Sequence, residues 1–162
     1  MTLSHAAIGG NIFPASPGAF HQPLQLAYCA GLFDGDGSVI ISKQTQPGRK
    51  NPTYRLCLSL VQNCFRTVRH FESVLGFPAC LVEVKRTTQH NRQVWNLRYD
   101  GRHSLGVLAL LEPFLVRKAI EAQVAREFYT ACDMGVLPGP RGLAPHIWAE
   151  RERYYKKLKR LK

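Results

Sequence analysis

Acidic residues are scarce in this chain. Its 162 residues include 11 Asp and Glu against 22 Lys and Arg, a formal net charge of +11. Such an excess points to a polyanionic partner, either a nucleic acid or an anionic membrane surface. Long apolar runs are also missing. None approaches the ~20 residues that a bilayer-crossing helix needs, so no membrane span is expected. The N-terminus has neither a basic segment nor an apolar stretch behind it, so no secretory leader is expected. Five cysteines make an odd number, and no Cys-x-x-Cys pair occurs, which argues against a disulfide framework and a zinc site. The six histidines are scattered without an H-x-x-x-H pair. Together these features predict an intracellular protein, in an organelle such as a chloroplast or mitochondrion or in a prokaryotic cytoplasm. With 45% hydrophobic residues the chain can bury a core.

What is present divides into three stretches. Residues 1–22 are rich in Gly, Pro, Ala and Ser without a steady period and read as a flexible N-terminal arm. A folded core is expected over 23–135, opening at Pro23, because proline suits a first helical position. The pattern predicts a short apolar helix ending in Asp34-Gly35-Asp36-Gly37, then strands Ser38–Gln44 and Tyr54–Gln62 as a hairpin. A helix over Phe65–Leu75 stops at Gly76. A second hairpin pairs Leu81–Thr88 with Gln93–Tyr99, and helices follow over His103–Leu111 and Val116–Cys132. Residues 136–162 form a basic helical extension. Between Arg141 and Lys162 stand eight Lys or Arg and two Glu, a local +6 with Trp148, Tyr154 and Tyr155 interleaved. Its basic face suits phosphates; the plainer reading is a solvated helix packed by Trp148 and Leu158.

The acidic end of the first helix carries the chemistry. Ala27, Ala30 and Gly31 leave little side chain on one helix face, so another helix can approach closely. The apolar helix with its acidic end occurs once, so its natural partner is the same helix of a second copy across a two-fold axis. That axis would bring two Asp36 carboxylates together, and their repulsion is relieved by a cation. Mg²⁺ prefers oxygen ligands and retains waters, which suits shared carboxylates and phosphates; the Gly35 carbonyl is a further candidate ligand. The same residues begin like a calcium loop, but counting from Asp34 the fifth position is Ser38 and the twelfth is Thr45. The bidentate Glu is therefore missing, and that reading is disfavoured.

Tyr28-Cys29-Ala30-Gly31-Leu32-Phe33-Asp34-Gly35-Asp36-Gly37-Ser38 resembles the LAGLIDADG signature of homing endonucleases. Ala30, Gly31, Leu32, Asp34, Asp36 and Gly37 match; Phe33 replaces an aliphatic residue and Gly35 a small one. The helix-strand-strand-helix-strand-strand-helix order from Pro23 to Cys132 is also that family's. The resemblance implies an α+β fold in which a curved antiparallel sheet forms a DNA-binding saddle, with helices on its other face and the motif helix at a homodimer interface. It implies cleavage of double-stranded DNA with Mg²⁺, with Mn²⁺ or Ca²⁺ able to substitute in binding. The catalytic weight falls on Asp36. Gln62, Arg66 and Lys118 match positions of the family's pocket glutamine, a basic residue and a pocket lysine, with Arg117 the rival if the register slips by one. An RNA-binding intron maturase and a non-cleaving DNA-binding protein are the other activities this fold accommodates.

Strand parity then selects a DNA-facing set. It comprises Ser38, Ile40, Ser42, Gln44 and Gln46 on the first strand and Thr53, Arg55, Cys57 and Ser59 on the second. On the second hairpin Trp95, Leu97 and Tyr99 are expected inward, leaving Val94, Asn96 and Arg98 outward opposite Glu83, Lys85 and Thr87. A strand of about ten residues spans ~33 Å, near ten base-pair steps, so a dimer would read a pseudo-palindrome of roughly 20 base pairs.

Overall fold

A computed structural model describes residues 17–84, 93–132, 134–136 and 142–162. Helix α1 spans Pro17–Asp36, β1 Gly37–Gln44, β2 Thr53–Gln62, α2 Phe65–Leu75, β3 Cys80–Val84 and β4 Val94–Asp100. Helices α3, α4 and α5 follow over Arg102–Leu111, Ala119–Ala131 and Pro145–Arg160, with a 3₁₀ turn at Glu112–Phe114 between α3 and α4. The strands form one antiparallel sheet in the order β1-β2-β4-β3. This is the expected α+β architecture of two hairpins joined through β2 and β4.

The inner face of the sheet supplies Val39, Ile41, Leu56, Leu58, Leu60, Leu97 and Tyr99 to the core, each at most 4% exposed. Helices cover them through Phe33 of α1, Phe71 of α2, Leu108 of α3 and Phe128 of α4. Helix α2 shows how the sequence writes its own boundaries. Val68, Phe71 and Leu75 fall on one buried stripe, and Gly76 adopts φ 68°, returning its N–H to the Glu72 carbonyl at 3.0 Å.

Three features differ most from the sequence reading. Helix α1 opens at Pro17, and Pro23 is carried inside it. Helix α4 starts at Ala119 rather than Val116, because the Asp34 carboxylate takes the amides of the intervening residues. In the second hairpin β3 is shifted by one residue. Glu83 pairs with Trp95, so it shares Trp95's face, and Val82 and Val84 instead lie beside Asn96 and Val94 on the outer face. Lys85, Thr87 and the 1–16 stretch of the N-terminal arm lie outside the described residues.

The junction from α1 to β1 is tightly built. Gly37 is buried, and a Cβ there would overlap the ring of Phe33. That ring in turn stacks on Phe71, centroids 6.4 Å apart, anchoring the acidic end of the helix to the core.

Helix α5 is part of the same core. Tyr154 and Leu158 are buried in it. Arg151 is 2% exposed and donates to the carbonyls of Cys132 at 3.1 Å and Val136 at 2.9 Å, holding the end of α4. Glu152 bonds Tyr54 and, at 2.8 Å, Lys43, which ties α5 to the first hairpin. Among the described residues no helix is long and apolar enough to cross a membrane.

Candidate active site and nucleic-acid interface

Asp34 and Asp36, two residues apart, have different work. Asp34 points back into the protein. Its Oδ2 accepts the amides of Val116 at 2.7 Å and Arg117 at 3.1 Å, and Oδ1 accepts that of Lys118 at 2.9 Å. Burial opposes its charge, but those three N–H donors and the Lys118 ammonium outweigh it and hold the carboxyl below the usual aspartate range. Asp36 is exposed at the last position of α1 and accepts a hydrogen bond from Nε2 of Gln62 at the end of β2.

Lys118 is the third member of this corner. It is only 3% exposed, and its ammonium donates to the Asp34 carbonyl in the last turn of α1. A helix C-terminus has unpaired carbonyls and a partial negative charge, which suits a cation. Burial first, then the neighbouring Arg117 guanidinium, pushes the Lys118 pKa down; Asp34 and Asp36 act in the opposite sense. Arg117 reaches the Gly35 carbonyl at 3.5 Å, so both candidate basic residues address the motif, with Lys118 the buried one. Arg66 is exposed in the first turn of α2, where a cation opposes the helix dipole and adds to local positive potential. The corner therefore brings together Asp36, Gln62 and Lys118, with Gly35 beside them.

The opposite face of α1 is open. Leu24, Ala27, Tyr28, Gly31 and Gly35 recur at helical spacing and are all exposed, and a Cβ at Gly31 or Gly35 would meet nothing within 4 Å. Ala30 is 0% exposed within the single chain and cannot belong to that face. Of the three small residues expected at an interface, Ala27 and Gly31 remain.

On the outer face of the sheet, the first hairpin pairs as parity requires: Ser38 with Ser59, Ile40 with Cys57, Ser42 with Arg55 and Gln44 with Thr53. Gln44 and Arg55 are exposed and project free polar groups. Ser42 and Thr53 donate to the carbonyls of Arg55 and Gln44, and Ser59 donates to Asn96 Oδ1 at 2.8 Å. Gln46 lies beyond the end of β1, where its carbonyl closes a turn onto the Arg49 amide, so strand parity does not govern it. Cys57 departs from the expected set: it is 2% exposed, beneath Ser42, Arg98 and Asp100, and has no surface to offer a ligand. Asp100, which the sequence reading passed over, was detectable as the next outward position after Arg98. A cleft of about 380 Å³ runs along the β1 edge against α5, lined by residues from both faces of β1, Ile40, Ile41 and Ser42 among them, and by Tyr155, Lys159 and Lys162. The basic end of α5 thus borders the sheet.

No protein-family model matches the sequence, and no curated protein matches it by sequence. Solved structures do match the fold. The homing endonuclease I-CvuI, in complex with its target in the presence of Ca, superposes with a TM-score of 0.68 at 22% identity over 88% of this chain and 85% of that one. The archaeal intron-encoded homing endonuclease I-Vdi141I, complexed with DNA, gives 0.66 at 16% identity over 86% and 84%. The meganuclease I-SmaMI, bound to uncleavable DNA, gives 0.63 at 12% identity over 82% of this chain and 44% of that one. With helices on one face of an open four-stranded sheet and an acidic motif helix beside it, the chain has the fold of the LAGLIDADG homing endonucleases.

Proposed function

We propose that this protein is a site-specific endonuclease of double-stranded DNA, working as a homodimer with a divalent metal. The observation that carries the proposal is the meeting of Asp36, Gln62 and Lys118 at the end of α1, beside a sheet face lined with polar and basic groups. The I-CvuI and I-Vdi141I structures named above contain DNA, and the +11 charge of this chain suits the same polyanion.

The donor set fits a hard cation only in part. Among the described residues of one chain no cluster of three or more His, Cys, Asp or Glu exists, so these residues do not build a metal site of that kind by themselves. Asp36 and the Gly35 carbonyl offer oxygen ligands, and Mg²⁺ is commonly held by one or two carboxylates with substrate phosphates and water completing the shell. A second Asp36 across a dimer axis through the open face of α1 would raise the count. A bound divalent ion would supply Lewis-acid polarisation and a water of lowered pKa.

The chain's own groups have definable tasks. Gln62 occupies one oxygen of Asp36 and fixes its rotamer. Lys118 places a partly desolvated positive charge next to the motif, where it can stabilise charge developing on a phosphate. Arg66 adds positive potential from the start of α2. Gln44, Arg55, Asn96 and Arg98 present donors for base edges in the major groove. Retention of the acidic position together with Gln62 and Lys118 favours this reading over an RNA-binding maturase or a non-cleaving DNA-binding protein.

The test is cleavage of a duplex carrying the uninterrupted form of the site that flanks the coding sequence. Wild type and Asp36→Asn are compared in Mg²⁺ and in EDTA. Metal-dependent double-strand cleavage, lost in a variant that still binds, is the expected result. Tight binding without cleavage in Mg²⁺ or Mn²⁺ would refute the nuclease assignment.

A further inference from the structure

The outer face of the sheet has an acid where a DNA-binding surface would be expected to avoid one. Asp100 is the lone acidic residue among the described strand positions of that face, on a chain with a two-fold excess of basic residues. A carboxylate there repels phosphates, so its presence calls for a compensating task. Its contacts supply one. Oδ1 of Asp100 accepts from Nε of Arg98 at 3.0 Å, from Nη2 of Arg98 at 2.9 Å and from the Cys57 thiol at 2.8 Å. A second hydrogen of Arg98 Nη2 reaches Cys57 Sγ at 3.1 Å, closing a three-residue network.

We propose that Asp100 and Cys57 are positioning residues that hold Arg98 as a fixed reader of one guanine in each half of the target. This rests on the DNA-binding reading above. Three observations support it. First, the network engages Nε and both hydrogens of Nη2, which leaves Nη1 with its two hydrogens free. That single nitrogen can address the O6 and N7 acceptors of guanine as a lysine ammonium does. Second, Arg98 stands on β4, an interior strand, directly between Ser59 of β2 and Cys80 of β3. Both neighbours are small and leave its outward side uncovered; the side chain is 41% exposed. Third, Arg55 on the same face has no side-chain hydrogen bond or ion pair among the described residues, so it lacks the restraint that Arg98 enjoys. A partly exposed ion pair contributes little to folding stability. What the network supplies is geometry, since a guanidinium already fixed in place loses less freedom on binding. The shifts agree in direction: burial and Asp100 raise the Cys57 thiol, while Cys57 and Arg98 hold the Asp100 carboxyl below its usual range against the effect of burial.

The experiment is a binding selection from random-sequence duplexes in Ca²⁺, run with wild type, Arg98→Ala, Asp100→Asn and Arg55→Ala, each checked for folding by thermal melting. Wild type should enrich a G·C pair at one position per half-site. Arg98→Ala should lose that preference by about ten-fold, and Asp100→Asn should lose preference at the same pair with other positions unchanged. Arg55→Ala should act at a different pair. Cys57→Ser, which keeps a donor to the carboxylate, should retain the preference and guards against an unfolded Asp100 variant. An unchanged profile for Asp100→Asn would overturn the positioning role. So would a change at a different pair, which would make Asp100 a direct reader. If wild type enriches no sequence at all, the DNA-reading assignment itself falls, and this inference with it.

Discussion

Asp34 and Lys118 hold each other in both directions: the Asp34 carboxylate accepts the Lys118 amide at 2.9 Å, and the Lys118 ammonium donates to the Asp34 carbonyl. Side chain meets backbone twice across 84 residues of sequence. The end of α1 and the start of α4 are thereby fixed as one rigid corner, from which Asp36 projects. Asp34 is thus the structural member of the acidic pair.

Asp34→Ala should therefore destabilise the protein by about 2 kcal/mol, because three backbone amides lose their acceptor. The pH dependence has a definite sign. The folded-state pKa lies below the ordinary value of 3.8, so the stabilisation is fully present above that value and disappears as pH falls through the lower, folded one. Wild type should melt above Asp34→Asn near neutral pH, and the gap, followed by circular dichroism, should close as pH falls through the folded pKa. A gap that does not change with pH would show that the charged contact is not used.

Lys118→Met should separate stability from activity. The folded pKa of Lys118 is depressed, so the folded state carries its charge at a disadvantage that is complete below that pKa. Raising the pH through it, toward the ordinary 10.5, relieves the disadvantage. Removing the ammonium should leave the melting temperature unchanged or raise it, by up to about 1 kcal/mol of stability. Cleavage should fall by on the order of a hundred-fold. A large loss of stability would mean that the bond to Asp34 outweighs desolvation.

Gly31→Arg tests the open face of α1. Nothing lies within 4 Å of a Cβ there, and arginine improves helix propensity over glycine by up to about 1 kcal/mol. The monomer fold should survive, while two guanidinium groups facing each other across an axis should abolish the dimer in sedimentation velocity. A dimer of unchanged affinity would place the interface elsewhere.

The basic end of α5 cannot be tested by truncation at Arg151, because Arg151, Tyr154 and Leu158 are buried. Lys159→Gln with Lys162→Gln leaves the core intact and removes two charges beside Ile40 and Ser42. If both contact phosphates, the slope of log K against log salt should become shallower by about 2. An unchanged slope would confine DNA to the sheet.

Local patterns were legible in sequence where one residue type decides the outcome. Gly76 stops α2 at the expected residue, and alternation puts Ser38 through Gln44 on the same face as Ser59 through Thr53, where the register pairs them. Reading failed where a distant group intervened. The start of α4 was displaced by a carboxylate 82 to 84 positions away, which no local propensity encodes. The parity of β3 had no anchor comparable to the motif and slipped by one at Glu83. Cys57 has the right parity for the outer face, yet its neighbours Arg98 and Asp100 cover it; alternation gives a side, not an exposure. Asp36, Gln62 and Lys118 were found through resemblance to a family, and their meeting depends on contacts spanning the whole fold.

The overlap between a Cβ at residue 37 and the ring of Phe33 couples the two positions. With the ring where it stands, any residue larger than glycine at 37 requires the aromatic side chain to move or shrink. Substitutions at 33 and 37 should therefore not be additive, and related chains should carry a bulky residue at one or the other, never at both.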